Sequence, residues 1–359
     1  MLATLFDATI RLISFLFGTG VVLITLNSIL RTYVLARSAR DPVAGFVLDL
    51  IRKGFVLVAR RTGTYQRRDQ IMALYAPTAL FVLPLNWLAM ITLGYAFIYW
   101  GLGVDSAEDA FIISGSSLLT LGFATTDDIF QIILEFTEAS IGLLLVALII
   151  AYLPTMYAAF SRRESLVNLT EVYAGTPPTA SEIILRHYRN HGLDQLNTVW
   201  DNWRIWFAEV EESHTSLAPL VFFRSTRPER SWITTAGAVL DAAAIYASSL
   251  NMPPSVQAPL CIRSGYLALR YIADFFDIGY DPSPAPDNPI SITQDEFNAV
   301  YDLMLAEGVP LKPDREECWR NYAGWRVNYD APLLELAALT MAPYAPWSSD
   351  RSRPHFVES

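Results

Sequence analysis

Apolar residues fall into two regimes along this chain. Over the first 160 residues they form long, nearly unbroken runs. After that they recur at helical intervals among charged residues. Three runs reach the roughly 20 residues that a helix needs to cross a bilayer. The first is Leu12–Leu30, between Arg11 and Arg31. The second lies within Gln70–Val104, which contains no charge. The third is Ala139–Ser161, between Glu138 and Arg162. Between the second and third lies Ser106–Thr126, apolar enough to enter a membrane but interrupted by Ser114-Gly115-Ser116-Ser117 and by Gly122. It is too short to cross as a helix and return. Irregular backbone at membrane depth must be buried in protein or line a water-filled cavity. The segment is therefore either a reentrant loop around a pore or a loop on the outer surface.

From Glu164 onward the pattern is that of water-soluble helices. Thr179 with Glu182 reads as a capping box opening a helix over Ala180–Asn190, with Gly192 beyond its end. Asp194–Glu212 carries Trp200, Trp203 and Trp206 at three-residue spacing. Ser231–Leu250 and Val256–Phe276 predict more apolar helices. Thr293 with Glu296 opens another, running to about Glu307. Glu316–Val327 and Leu333–Met341 complete the series, and Asp281–Pro289 is a proline-rich linker. The Pro, Ser and Arg content of 343–359 predicts a disordered tail. The division expected is 1–35 as a first transmembrane helix, 36–69 as a basic linker, 70–163 as a membrane domain with its loop at 106–126, 164–342 as a helical domain, and 343–359 as tail. The fold class is thus an all-α membrane protein.

Charge sets the orientation. Of 26 Lys and Arg and 36 Asp and Glu, residues 1–164 hold 12 of each, so the rest of the chain holds 14 and 24 and carries the whole net charge of −10. That balance argues against nucleic-acid binding. The loop after the first run contains Arg31, Arg37, Arg40, Arg52, Lys53, Arg60, Arg61, Arg67 and Arg68, and Arg162 and Arg163 follow the third. The segment between the second and third runs has Asp105, Glu108, Asp109, Asp127 and Asp128 and no base. Basic residues stay on the cytoplasmic side. The expectation is a multi-pass protein of the plasma or inner membrane with a cytoplasmic C-terminus. Within the basic loop, Gly45–Arg61 segregates apolar and basic residues as an interfacial helix would. The basic segment 45–68 therefore suits anionic lipid, or serves only as ordinary positive-inside charge.

The segment Ser116-Ser117-Leu118-Leu119-Thr120-Leu121-Gly122-Phe123-Ala124-Thr125, followed by the helix beginning Glu138-Ala139-Ser140-Ile141-Gly142, resembles the pore loop and inner helix of the potassium-channel-like family of two-transmembrane pore-loop channels. The resemblance covers roughly residues 75–163. It implies a pore helix containing Ser116 and Ser117, a selectivity filter at Thr120, Leu121, Gly122, Phe123 and Ala124, and a homotetramer, because one chain supplies only one loop. Rings of backbone carbonyls then replace the hydration shell of a monovalent cation, potassium by resemblance, and no other cofactor is implied. The family has glycine where Ala124 stands, in a conformation costing an L-residue roughly 1–2 kcal/mol, and aspartate where Thr125 stands. Asp127 and Asp128 keep the outer mouth acidic. Glu138 is a candidate support for the filter from behind, or an interfacial carboxylate. Gly142 and Pro154 are candidate gating hinges, or sites of close packing and helix curvature.

Remaining features are weaker. His187 and His191 share a helix face with Glu182 and Asp194 near, but without a third sure ligand the pattern reads as a solvated helix face, so no metal site is expected. Cys261 and Cys318 have no metal or redox spacing and read as buried thiols. No dinucleotide or phosphate loop is present, so any ligand of the C-terminal domain is unassigned and no enzymatic activity is expected. Two function classes follow: a cation channel with a cytoplasmic assembly or gating domain, and a non-conducting sensor or scaffold on a degenerate pore fold, motivated by Ala124. A membrane-anchored enzyme with its site in residues 165–342 is a third.

Overall fold

The structure is a computed structural model describing residues 2–33, 35 and 41–351; Arg37 and Arg40 of the basic loop and the end of the tail, 352–359, lie outside the described residues. Every regular element among the described residues is helical, with no strand beyond one isolated bridge between Leu250 and Leu311. Three helical stretches are long and apolar enough to cross a membrane, Leu5–Tyr33, Tyr65–Gly101 and Ile129–Ala174. The chain divides into two compact units, one comprising Met1–Arg61 and Leu74–Tyr157, the other Thr62–Ala73 and Ala158–Ser359.

The first unit is built on α1 (Leu2–Tyr33), α2 (Pro42–Arg60), α4 (Tyr75–Gly101), α5 (Ala107–Leu118) and most of α6 (Ile129–Ala174); α3 (Tyr65–Ala73) belongs to the second unit. Small residues let α1 and α4 approach. A Cβ on Gly18 would lie 2.3 Å from the Gly94 carbonyl oxygen, and one on Gly101 2.7 Å from that of Arg11. Ser14 Oγ donates to the Phe97 carbonyl at 2.8 Å. Apolar contact drives nothing between helices in lipid, so close packing and interhelical hydrogen bonds of this kind hold such pairs. Asp41 caps α2, accepting from the amides of Val43 and Ala44 at 3.1 and 3.2 Å, and it also accepts from Ser28 and Thr32 of α1. Trp87 Nε1 of α4 donates to Ser28 Oγ at 2.9 Å, which ties the three helices at one point.

The second unit contains α7 (Ala180–Arg189), α8 (Leu196–Ser216), α9 (Trp232–Ser249), α10 (Gln257–Phe275), α11 (Gln294–Ala306), α12 (Arg315–Arg326) and α13 (Asp330–Thr340) around a single core. α9 is buried along almost its whole length, consistent with its nearly unbroken apolar sequence. The Trp200/Trp203/Trp206 stripe is packing: all three rings are buried, Trp203 Nε1 donates to Thr170 Oγ1 and Trp206 Nε1 to the Arg163 carbonyl. The Thr293–Glu296 capping box forms completely. At Thr179 only half does, because Glu182 turns to Arg186 instead.

Three boundaries differ from the sequence reading. The linker expected at 36–69 is two helices assigned to different units, α2 and α3. The third apolar run lies within one helix of 46 residues, so the membrane domain and the helical domain share α6, and the division falls after Tyr157 rather than after 163. The tail is ordered as far as Arg351. Ala345 and Trp347 are buried, Arg326 donates to the Trp347 carbonyl at 2.8 Å, and Arg351 pairs with Glu296. The Pro, Ser and Arg composition that suggests disorder here surrounds one core tryptophan and one part-exposed ion pair.

A buried ionic network braces the second unit. Asp241 accepts from Arg326 Nη1 at 2.9 and 2.8 Å, from Tyr322 at 3.1 Å and from Tyr329 at 2.8 Å. Arg326 Nε reaches Asp330 at 2.7 Å. The charges are paired and hydrogen-bonded, the condition for burying them.

Candidate functional site

α5 begins at Ser106, whose Oγ accepts from the Asp109 amide at 2.9 Å, and Glu108 and Asp109 in its first turn suit the positive end of the helix. It packs against α4, where Ser114 Oγ lies 2.9 Å from the Thr92 carbonyl oxygen. Helical geometry ends at Leu118, and the chain then runs without helix to α6. The end of α5 organises that return. The amides of Leu121 and Gly122 both point to the Ser116 carbonyl, at 2.8 and 3.4 Å, the Thr120 amide to the Ser117 carbonyl at 3.0 Å, and the Ala124 amide to Ser116 Oγ at 3.1 Å. The N–H groups are thus turned toward α5. Among the described residues no donor bonds the carbonyls of Thr120, Leu121, Gly122 or Phe123.

The backbone turns left-handed at Thr120 (φ 55°) and Gly122 (φ 69°). Glycine accepts this freely, whereas threonine, β-branched, is held there at a cost of about 1–2 kcal/mol. Ala124 has no positive φ, which corrects the expectation of strain at that position; the strained residue is Thr120. The side chains of Leu121 and Phe123 are 60% and 69% exposed, with nothing of the same chain over them.

Glu138 is fully buried. Its carboxylate accepts from Ser114 Oγ at 2.5 Å and from the Tyr99 hydroxyl at 3.1 Å, so it joins α6 to α5 and α4. It makes no bond to residues 120–124. The carboxylate that reaches the return segment is Glu135, accepting from the Thr126 amide at 2.8 Å. Glu135 and Glu138 share one face of α6 by their i, i+3 spacing, and that spacing was the only sequence signal for Glu135's position. Tyr99 and Ser114 gave no signal, being one aromatic in a charge-free run and one serine among several.

Gly142 is a packing position. A Cβ there would lie 2.1 Å from the Leu118 carbonyl oxygen, so α6 passes directly against the last residue of α5. The helix is continuous through both Gly142 and Pro154, and Pro154 lies on the exposed side of α6. Proline leaves the carbonyl four residues earlier without its helical donor, yet no helix break accompanies it. Asp127 is exposed. Asp128 begins α6, its carboxylate accepting from the amides of Phe130 and Gln131 at 2.9 and 3.1 Å.

In α2 the exposed face carries Phe46, Leu50 and Leu57, with Lys53 and Arg60 beside them. His187 gives its Nδ1 to the Ile183 carbonyl and His191 is exposed; among the described residues no three His, Cys, Asp or Glu side chains converge. Cys261 and Cys318 are free and buried. A shallow recess in the second unit is lined by residues including Glu171, Thr176, Glu229 and Arg230. There Glu171 is already paired with Arg230 and accepts from Thr176 Oγ1 at 2.8 Å.

Comparison with protein-family models, with curated proteins and with solved structures returns no match for this chain.

Proposed function

We propose that the chain forms one quarter of a cation-conducting pore of the potassium-channel-like class, with α5 as its reentrant pore helix and Thr120–Ala124 as its filter. The observation that carries this reading is the polarity of the return segment. The amides of Thr120, Leu121, Gly122 and Ala124 are bonded back to Ser116 and Ser117, while among the described residues the carbonyls of Thr120–Phe123 have no donor. A dehydrating cation requires such oxygens.

Depth supports the same reading. Thr92, in contact with Ser114, lies nine residues before the end of α4, about 14 Å. If α4 and α6 span a hydrocarbon layer of about 30 Å, the end of α5 sits near its middle. Irregular backbone there must be covered or face water. Within one chain Leu121, Phe123 and a long face of α6 including Phe136, Leu143 and Ile150 are uncovered. Four copies around an axis, one loop each, supply both the cover and the ring of carbonyls.

The permeant ion is a monovalent cation, potassium by resemblance, and Phe123-Ala124-Thr125 alters the outer sites. Ser116 Oγ braces the Ala124 amide. The non-conducting alternative rested on strain at Ala124, and Ala124 carries no positive φ. By the distribution of basic residues the second unit is cytoplasmic, where it assembles or gates the pore. The exposed apolar and basic face of α2 suits the inner leaflet, with anionic lipid at Lys53 and Arg60. Native mass spectrometry of the purified protein tests the assembly: a tetramer is expected, and a monomer or dimer as the sole species would overturn it.

A further inference from the structure

The segment α4–α5–α6 is held at both ends by the same unit. On one side α6 continues into the second unit beyond Tyr157. On the other, α3, which belongs to that unit, is separated from α4 by the single non-helical residue Leu74. α3 is a poor candidate for ordinary hydrophobic docking. Its sequence, Tyr-Gln-Arg-Arg-Asp-Gln-Ile-Met-Ala, is polar, and only Asp69 and Met72 are buried.

Besides one long bond from the Tyr65 hydroxyl to the Met341 carbonyl at 3.4 Å, what fixes it is one guanidinium. Arg224 Nη1 donates to Asp69 Oδ1 at 2.6 Å, to the Met341 carbonyl at 3.2 Å and to the Tyr65 hydroxyl at 3.3 Å. Arg224 Nη2 donates to the Thr340 carbonyl at 2.7 Å. The two carbonyls belong to the end of α13, where the chain turns left-handed at Met341 and leaves acceptors without helical donors. Both charged side chains are nearly buried, 12% and 11% exposed, so the pair is shielded from solvent screening. A planar guanidinium satisfies several acceptors at fixed angles, which an ammonium does not.

We propose that the Arg224–Asp69 clamp is a coupling joint. It locks α3 to the end of α13, so that a rearrangement of the second unit is delivered through Leu74 to the first turn of α4, as well as through α6. Its effect on conduction rests on the channel reading; its mechanical part does not. Arg224 and Asp69 act as positioning residues, remote from any ion.

Hydrogen exchange of the full-length protein in nanodiscs, comparing wild type with Arg224→Met and Asp69→Asn, tests the joint. Opening of a segment held by charge-assisted bonds should rise on the order of tenfold or more when the bonds go. The expected result is faster exchange over 65–73 that extends into the first turns of α4, with α9 unchanged and Arg224→Lys intermediate. Unchanged exchange over 65–73 overturns the proposal, as does loosening that stops at Ala73, or loosening of α9 to the same extent, which would mean a merely structural bond. Cation flux of the same proteins in liposomes is the second readout. Flux altered severalfold by both variants supports the joint, and flux identical to wild type despite a loosened α3 and α4 overturns its coupling role. Absence of flux from the wild type would refute the channel reading, and the exchange result would still decide the joint.

Discussion

Gly142 separates a packing role from a hinge role, and the geometry gives the size of the effect. An added Cβ would lie 2.1 Å from the Leu118 carbonyl oxygen, 3.1 Å from its carbon and 3.3 Å from Cδ1 of the same residue. A carbon needs about 3.3 Å from such an oxygen. Gly142→Ala therefore forces α5 and α6 apart by about 1.2 Å at a backbone contact, which no side-chain rotation relieves. Overpacking of this order costs about 1–3 kcal/mol, against about 1 kcal/mol gained from alanine's helix propensity. The control is Gly115→Ala within α5, where a Cβ meets nothing within 4 Å. Thermal melting of the full chain in detergent should place Gly142→Ala below wild type and Gly115→Ala at or above it. Because Leu118 lies two residues before Thr120, cation flux should fall in the first variant as well. A Gly142→Ala protein that melts at or above wild type would refute the packing argument, and one that does so with altered flux would identify a hinge.

Glu138→Ala leaves Ser114 and Tyr99 without their carboxylate acceptor and should cost about 1–3 kcal/mol. Glu138→Gln keeps an acceptor and should retain most of the melting temperature and flux; equal losses in both would show that charge, not hydrogen bonding, matters there. Asp241→Leu strips Arg326 of one of its two counter-charges in a buried site, leaving Asp330, and losses of about 3–5 kcal/mol are expected on removal of one partner, read by denaturant unfolding followed through tryptophan fluorescence. Acid sensitivity has a defined sign. Burial, and then the Arg163 guanidinium at 3.2 Å, hold His214 well below the ordinary histidine range, so the unfolded chain protonates first. Its contribution is complete above about pH 6.5 and is progressively lost below that. Glu296, held down to about 2 by Arg351, adds stability above about pH 4.3 that is lost as pH falls toward 2. The unfolding midpoint of the second unit should decline between pH 7.5 and 5.5, and His214→Gln should flatten that decline; an unchanged wild-type midpoint would contradict the assignment.

The spans were legible because a charge-free apolar run has few alternatives, and the later helices because capping residues and helical periodicity agree at Thr179, Thr293 and across α9. The unbroken α6 was not legible. Its sequence turns from Leu-Pro-Thr-Met-Tyr to Ser-Arg-Arg-Glu-Ser, a shift from lipid to water that a helix can make without bending. The ordered tail was hidden for a related reason, since Trp347 is a single core residue in a polar context. At the site, Thr120, Gly122 and Ser116 were placed by pattern. The positive φ at Thr120, the relaxed Ala124 and the Glu135 bond to Thr126 depend on where α5 ends relative to α6, which is set by the Gly142–Leu118 contact across 24 residues of sequence. Arg224 lies 155 residues from Asp69, beyond any local signal.

The most direct test of the account is cation flux through purified wild-type protein in liposomes under a potassium gradient, beside Gly122→Val, which forces a β-branched side chain onto a left-handed backbone, and Ala124→Gly. The account predicts flux from wild type, its loss in Gly122→Val, and its retention in Ala124→Gly. Flux that appears only in Ala124→Gly, or that survives Gly122→Val unchanged, would contradict the assignment of Thr120–Ala124 as the ion path.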